Sequence, residues 1–188
     1  KLGNDASIDW AIGVMNEGNV VADFDSDLIG NGSQADLKVV ALSSGRQVQG
    51  IDTRVTNYGC NSIGNILQHG VILEKATLTF NGIGHIIKGA KGADAQQESR
   101  VLMLSDQARS DANPILLIDE NDVTAGHAAS IGQVDPEDMY YLMSRGLDKA
   151  TAERLVVRGF LGSVIVEIPV KEVRDEMIAT IEEKLSKR

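Results

Sequence analysis

The sequence predicts a mainly β fold, a parallel β-helix followed by a small α-helical domain. Residues 6–130 hold many short β-prone runs punctuated by glycine, asparagine, serine and aspartate, without a long helix-period run. Some runs, such as Ile115 to Ile118, are apolar throughout, as in strands covered on both faces. Two-residue hairpin signals are scarce and aromatic residues make up only 4% of the chain, which favours a narrow solenoid over a sandwich.

Strands come first in the chain. We predict them at 8–14, 19–24, 37–42, 47–55, 66–73, 76–80, 83–87, 101–104 and 114–118. An acidic turn follows at 119–122 and reverses the chain. We expect its carboxylates to be solvated and not a catalytic acid–base pair, because nothing nearby supplies a nucleophile or an oxyanion donor.

Helical signals begin at Asp135, which is a good N-cap, with Pro136 suited to the first helical position. Gly146 fits the left-handed residue that ends a helix, and Asp148 caps a second helix. The apolar surface of this second helix is predicted to comprise Ala152, Leu155, Val156, Phe160 and Leu161.

A terminal amphipathic helix is predicted by apolar residues at spacings of three and four, namely Val170, Val173, Met177, Ile181 and Leu185. We expect it to cover the open end of the β part, because a repeat fold must not expose its core there. A role in binding a partner is the alternative. The predicted domains are residues 1–134, the β-helix core, and residues 135–188, the helical domain.

Composition excludes several classes of function. The net charge of -9 argues against nucleic acid as a partner, since such affinity comes from neutralising phosphates. A lone cysteine cannot form an internal disulfide, and no apolar run is long enough for a membrane span, so we expect a cytoplasmic protein. The chain begins at Lys1 without methionine, and we expect it to be a fragment whose N-terminal part is missing.

Four motifs in the second half occur together. They are SDQA at 105–108, DV and GH within 122–127, YLMSRG at 141–146 and GF at 159–160. With the looser stretch FNGIGHIIKGAKGADAQQESRVLMLSD before them, they resemble the SufB/SufD family of iron–sulfur cluster assembly proteins, most closely its SufD type. The likeness covers residues 47–188 well.

This resemblance implies a right-handed parallel β-helix with a C-terminal helical domain. It also implies a non-catalytic scaffold subunit that pairs with a SufB-type subunit and binds a SufC-type ATPase through its C-terminal helices. An iron–sulfur cluster would be held transiently at the interface with the SufB-type partner, and none stably by this chain alone. No nucleotide-binding motif is present, so ATP chemistry would belong to the partner. A homodimer of the chain, joined at the surface normally given to SufB, is a further hypothesis.

His127 is the principal candidate site residue, because the resemblance matches it to the histidine that implicates SufD in the cluster site. Its small neighbours should leave it accessible, and imidazole is a good iron ligand. Ser99 and Ala128 stand where the SufB type has a cysteine and a glutamate, so this chain should not be the sulfur-receiving subunit. Ala125 stands where some SufD-type relatives have a cysteine.

Other candidates carry less weight. Cys60, in the turn NYGCNS, is a weaker candidate metal ligand because no cysteine or histidine lies at ligand spacing. His69, before Gly70 in a predicted turn, and His85, in a β-like run, are expected to be packed or solvent-facing. The alternative function is a β-helix hydrolase or lyase acting on carbohydrate, which would need several acids or bases converging near His127.

Overall fold

The structure is a computed structural model that describes residues 1–186, in which nine β-strands precede three α-helices. The strands are β1 (Ser7–Val14), β2 (Val20–Leu28), β3 (Gln34–Ser43), β4 (Val48–Asn57), β5 (Ile63–Ile72), β6 (Thr77–Ile86), β7 (Asp94–Met103), β8 (Arg109–Ile118) and β9 (Thr124–Gln133). Strands β1, β3, β5, β7 and β9 form one parallel sheet, the odd sheet, and β2, β4, β6 and β8 form the other, the even sheet. Because consecutive strands alternate between the two sheets, the chain winds as a parallel β-helix, and the predicted fold class is confirmed.

Side chains along each strand alternate between the bore of the β-helix and its outer surface. On β3, Leu37 and Val39 are fully buried and face the bore, while Asp36 and Lys38, which alternate with them, face outwards. The bore is filled by residues of both sheets, and the cluster at its centre includes Val39, Ile51, Leu78 and Phe80. Stacked aliphatic side chains therefore form the core, as the low aromatic content predicts.

Several predicted strand bounds are wrong. The runs 76–80 and 83–87 form a single strand, β6, because Asn81 and Gly82 do not interrupt it. Asn81 bonds outwards to Asp52, and Gly82 leaves inner space that the amide of Gln97 approaches. Strand β9 was not predicted, since its glycine, alanine and serine residues have weak strand propensity and it is its pairing with β7 that makes it a strand.

The first two helices begin where the sequence predicts, and the predicted terminal helix is present. They are α1 (Pro136–Ser144), α2 (Lys149–Ile165) and α3 (Lys171–Ser186). The Asp135 carboxylate accepts the Glu137 backbone N–H at 2.8 Å, and the Asp148 carboxylate accepts that of Thr151 at 2.7 Å, which lowers the pKa of Asp148. Gly146, with φ of +93°, follows α1 in the left-handed conformation.

Helices α2 and α3 lie on the outer face of the odd sheet. Outward-facing Val40 on β3 and Val71 on β5 join one buried cluster with Leu161 of α2 and Ile181 of α3. The predicted position over the open end of the β-helix is therefore wrong: the apolar outer surface of β3 and β5 attracts the helices to the side. The division into domains 1–134 and 135–188 stays a prediction, and its last two residues lie outside the described part.

The buried face of α2 differs from the predicted one. It comprises Ala152, Val157, Leu161, Val164 and Ile165. Leu155 is 50% exposed, because apolar residues occur around much of this helix and only the contact with the sheet decides which side is covered. No helix within residues 1–186 is both long and apolar enough to cross a membrane.

Glu120 is buried, so the expectation of a solvated acidic turn is wrong at this position. Its carboxylate accepts the backbone N–H groups of Asn121 at 2.9 Å and Gly89 at 3.0 Å, and it lies 3.5 Å from the Lys88 ammonium. These hydrogen bonds, with smaller help from Lys88, lower the pKa of Glu120 to about 2. The side chain thus fastens the turn after β8 to the turn after β6.

We expect Leu161→Ala to lower the free energy of unfolding by about 2–5 kcal/mol, because it opens a cavity between α2 and the odd sheet. Leu155→Ala, on the exposed side of the same helix, should cost about 0.5 kcal/mol or less. Urea denaturation followed by circular dichroism measures both. Equal losses would contradict the buried face described above.

Ionised Glu120 should stabilise the fold above the ordinary pKa of 4.5, and this stabilisation should be lost as the pH falls from there towards 2. The direction follows because the unfolded chain binds this proton at a higher pH than the folded chain does. Glu120→Gln should therefore lose less stability than the parent protein across this window. Urea midpoints measured against pH, with exposed Glu137→Gln as the control, test this, and parallel curves for Glu120→Gln and the parent would refute it.

Candidate functional site

The β-helix is open at the end formed by β8 and β9, the terminal strands. Within residues 1–186, β8 pairs only with β6 and β9 pairs only with β7. Inner positions that are buried on β7 are uncovered on β9: Val101 is 3% exposed, whereas its register partner Ile131 is 40% exposed. The terminal strands thus present inner side chains and an unpaired backbone edge to solvent.

His127 lies on the inner face of β9. Its register partner on β7 is Gln97, which is buried in the bore, and aligned residues of parallel strands point to the same face. The neighbouring inner positions hold Ala125 and Ala129, which are too small to cover the imidazole. His127 is therefore exposed, as the sequence predicts.

The bore next to His127 is polar. The Gln97 amide nitrogen donates to the Ile115 carbonyl at 2.9 Å, while its amide oxygen is buried without a partner among the described residues. Ser99, also on the inner face of β7, donates its hydroxyl to the Gln68 amide oxygen at 2.7 Å. No sequence motif marks Gln97 or Gln68, and only the strand register shows that both side chains face the bore.

The open edge of β9 carries a continuous row of backbone groups. The Thr124 N–H donates to the Ala93 carbonyl at 2.9 Å, so every second residue of β9 faces β7. The N–H groups of the residues in between, which include Ala125, His127 and Ala129, therefore face the open edge. A strand placed beside β9 could pair with all of them.

The open edge of β8 is interrupted. The Arg109 and Asp119 N–H groups donate to carbonyls on the β6 side, at 3.0 and 2.9 Å. The same alternation places Pro114, which has no N–H, on the open edge. Strand addition at β8 would lack one backbone hydrogen bond.

Apolar side chains are exposed on the same strands. Ile115 and Leu117 on the outer face of β8 are 39% and 45% exposed, and Ile118 at its end is 41% exposed. Ile115 and Leu117 lie beside the unpaired edge of β8, and Ile131, on the inner face of β9, lies beside the unpaired edge of that strand. Exposed apolar side chains beside an unpaired edge are typical of a surface that another chain covers.

The other histidines lie elsewhere. His69 is in strand β5, not in the predicted turn, and its buried ring stacks on Phe160 of α2 with centroids 4.9 Å apart. Its ring nitrogens lie 3.3 Å from the Phe160 carbonyl oxygen and 3.4 Å from a Glu98 carboxylate oxygen. His85, on the outer face of β6, pairs with Asp119 at 3.1 Å. Neither ring faces the bore.

Cys60 lies in the turn between β4 and β5, where its thiol approaches the Gly89 carbonyl oxygen at 3.4 Å. The structure does not bring it to His127, which is on a strand further along the odd sheet. Within residues 1–186 no group of three or more histidine, cysteine, aspartate or glutamate side chains is arranged to hold a metal ion. An iron site at His127 would need ligands from a second chain, and the roles of His127 and Cys60 stay predictions.

Residues 1–160 match the family model described as the SufBD core domain of SUF system FeS cluster assembly. The chain is 51% identical to the iron–sulfur cluster assembly protein SufD of Bacillus subtilis over 97% of its own length and 42% of that protein. It is also similar to two SufBD family proteins of Mycobacterium bovis. One is 46% identical over 51% of this chain and 24% of its own length, and the other is 30% identical over 77% and 17%. The chain thus spans less than half the length of these relatives.

The free energy of unfolding should distinguish His69, which is buried, from His127, which is exposed. We expect His69→Ala to lower the free energy of unfolding by about 2–4 kcal/mol, since it removes a buried ring stacked between β5 and α2. His127→Ala removes an exposed ring and should change it by about 0.5 kcal/mol or less. Urea denaturation decides, and a large loss for His127→Ala would mean that its ring is packed.

Proposed function

Because the chain belongs to the SufBD core family of the SUF system and is SufD-like, we propose that it is part of a scaffold subunit for iron–sulfur cluster assembly. The observation that carries the proposal is the position of His127, an exposed imidazole on the inner face of an unpaired terminal strand. If His127 binds a cluster, the cluster lies at the edge of this chain's own sheet. A second subunit placed against that edge would complete the site.

The nascent cluster is the cargo of such a site. A single imidazole supplies one nitrogen ligand, and thiolates or further imidazoles would have to come from the partner. Ser99 cannot substitute as a sulfur acceptor, because its hydroxyl is buried and bonded to Gln68 inside the bore. We therefore assign the sulfur-receiving role to the partner. Cys60 remains a secondary candidate metal ligand. We propose no catalytic residue in this chain.

A SufB-type subunit is the proposed occupant of the terminal strands. The continuous edge of β9 offers backbone groups for strand pairing, and Ile131 beside it offers apolar surface. A strand paired with β9 would place its inner side chains within about 5 Å of His127, which is ligand-sharing distance.

In the absence of that subunit, two copies of this chain could pair through the same edge. Light scattering measures the mass of the purified chain, and a result that showed only monomer would contradict this homodimer.

A SufC-type ATPase is the proposed partner of the C-terminal helices. Helix α1 has no buried residue, and Tyr140 and Tyr141 on it are 76% and 56% exposed. Exposed tyrosines with Met143 beside them are typical of a surface that binds protein. Helix α1 contacts α2, which packs on the odd sheet in the cluster that it shares with α3.

The carbohydrate hydrolase or lyase alternative finds little support in the described residues. Asp119 pairs with His85 on the outer surface, and Glu120 is tied to the turn at Gly89, so neither acid converges on His127. A glycosidase needs two carboxyl groups flanking the scissile bond. The scaffold function therefore fits the site better.

The test is a reconstitution with purified SufB-type and SufC-type subunits. We expect the parent protein and His127→Ala to copurify with both partners, while His127→Ala forms at least about tenfold less cluster, since it removes a ligand and leaves the fold intact. Cluster formation is measured by visible absorbance and by iron and sulfide content. The control is His85→Ala, which removes another partly exposed histidine away from the bore.

Two outcomes would reject the proposal. Failure of the parent protein to copurify with either partner would remove the scaffold role. Normal cluster formation by His127→Ala in an intact complex would remove the assignment of His127.

A further inference from the structure

A ladder of hydrogen-bonded side chains runs down the outer face of the even sheet to its open edge. Asp52 on β4, Asn81 on β6 and Asn113 on β8 occupy successive register positions. The Asn81 amide nitrogen donates to the Asp52 carboxylate at 2.5 Å, and the Asn113 amide nitrogen donates to the Asn81 amide oxygen at 2.9 Å. We call these three residues the Asx ladder.

The direction of the Asx ladder is set by its first member. The Asp52 carboxylate only accepts hydrogen bonds, so Asn81 must turn its NH₂ group towards it and its oxygen towards β8. Asn113 must then turn its own NH₂ group towards Asn81. The amide oxygen of Asn113 is left over, without a partner among the described residues, on the strand that ends the sheet.

Water can satisfy this oxygen while Asn113 is exposed. A strand that docks along β8 would remove that water, and an oxygen buried without a donor opposes binding. Pro114 takes one backbone donor away from the same edge, so side-chain contacts carry more of the recognition there. Ile115 and Leu117, two and four residues further along the outer face, add an apolar requirement.

We propose that Asn113 selects the partner strand at β8 by its chemistry: a side-chain hydrogen-bond donor opposite Asn113, with apolar side chains opposite Ile115 and Leu117. This rests on the proposed function, because it assumes that a SufB-type subunit covers the terminal strands. A strand with an acceptor or an apolar side chain opposite Asn113 leaves the oxygen unpaired and is disfavoured. The Asx ladder therefore fixes both partner and register.

The test measures the dissociation constant of the full chain for a purified SufB-type subunit by titration calorimetry. Asn113→Leu should bind about tenfold more weakly, because the partner's donor loses its acceptor. Asn113→Asp keeps an acceptor at the edge, although it loses the N–H that donates to Asn81, and should bind more tightly than Asn113→Leu. Asn65→Leu is the matched control, since Asn65 makes the equivalent bond to Asp36 at 2.8 Å on a strand that is not terminal.

Thermal melts establish that each variant is folded. Binding of Asn113→Leu within about twofold of the parent would overturn the inference, as would an Asn113→Asp variant as weak as Asn113→Leu, which would mean that the partner presents an acceptor. An equal loss in Asn65→Leu would overturn it too, since the effect would not be specific to the open edge of β8. In all three cases the parent still binds and the proposed function stands, whereas a parent protein that does not bind removes both.

Discussion

The structure depends on the in-register stacking of parallel strands. Each strand needs a neighbour on both edges, because its backbone N–H and C=O groups point alternately to the two sides. Each layer of inner side chains likewise needs the next layer to exclude water, as Leu37 is covered by the residues that pack around it in the bore. Both requirements fail together at the terminal strands, which therefore expose inner side chains and backbone groups to solvent.

Stacking also decides what a residue can do. Ser99 and His127 both belong to inner rows of the odd sheet, yet Ser99 is enclosed and bonded to Gln68, whereas His127 is one strand further on and uncovered. One step along the stack thus separates a buried, hydrogen-bonded hydroxyl from an exposed imidazole. The outer face follows the same rule: Asn81 has neighbours on both sides, and Asn113, in the same row, has one.

Local sequence signals predicted those features that depend on local physics. The mainly β class follows from composition and run length, and the caps at Asp135 and Asp148 follow from side chains that bond their own helix starts. Features that depend on distant contacts were missed. Strand β9 is held by pairing with β7, Leu155 is exposed because the sheet lies on the other side of α2, and Glu120 is buried because the turn at Gly89 supplies its donors. The accessibility of His127 was predictable from its small neighbours, but its place on the inner face required the register.

We expect little of the fold's stability to depend on His127, because its ring is exposed on a strand with an unpaired edge. Helices α2 and α3 stabilise the middle of the odd sheet through the cluster around Leu161, and His69 adds a buried contact at Phe160. The terminal strands stand apart from that support and expose their backbone. Under the proposed function this separation would be an advantage, because a partner and a labile cluster could occupy and leave the edge without disturbing the core. Partner choice would then depend on a few edge groups, namely the β9 backbone, Ile115 with Leu117, and the unpaired oxygen of Asn113.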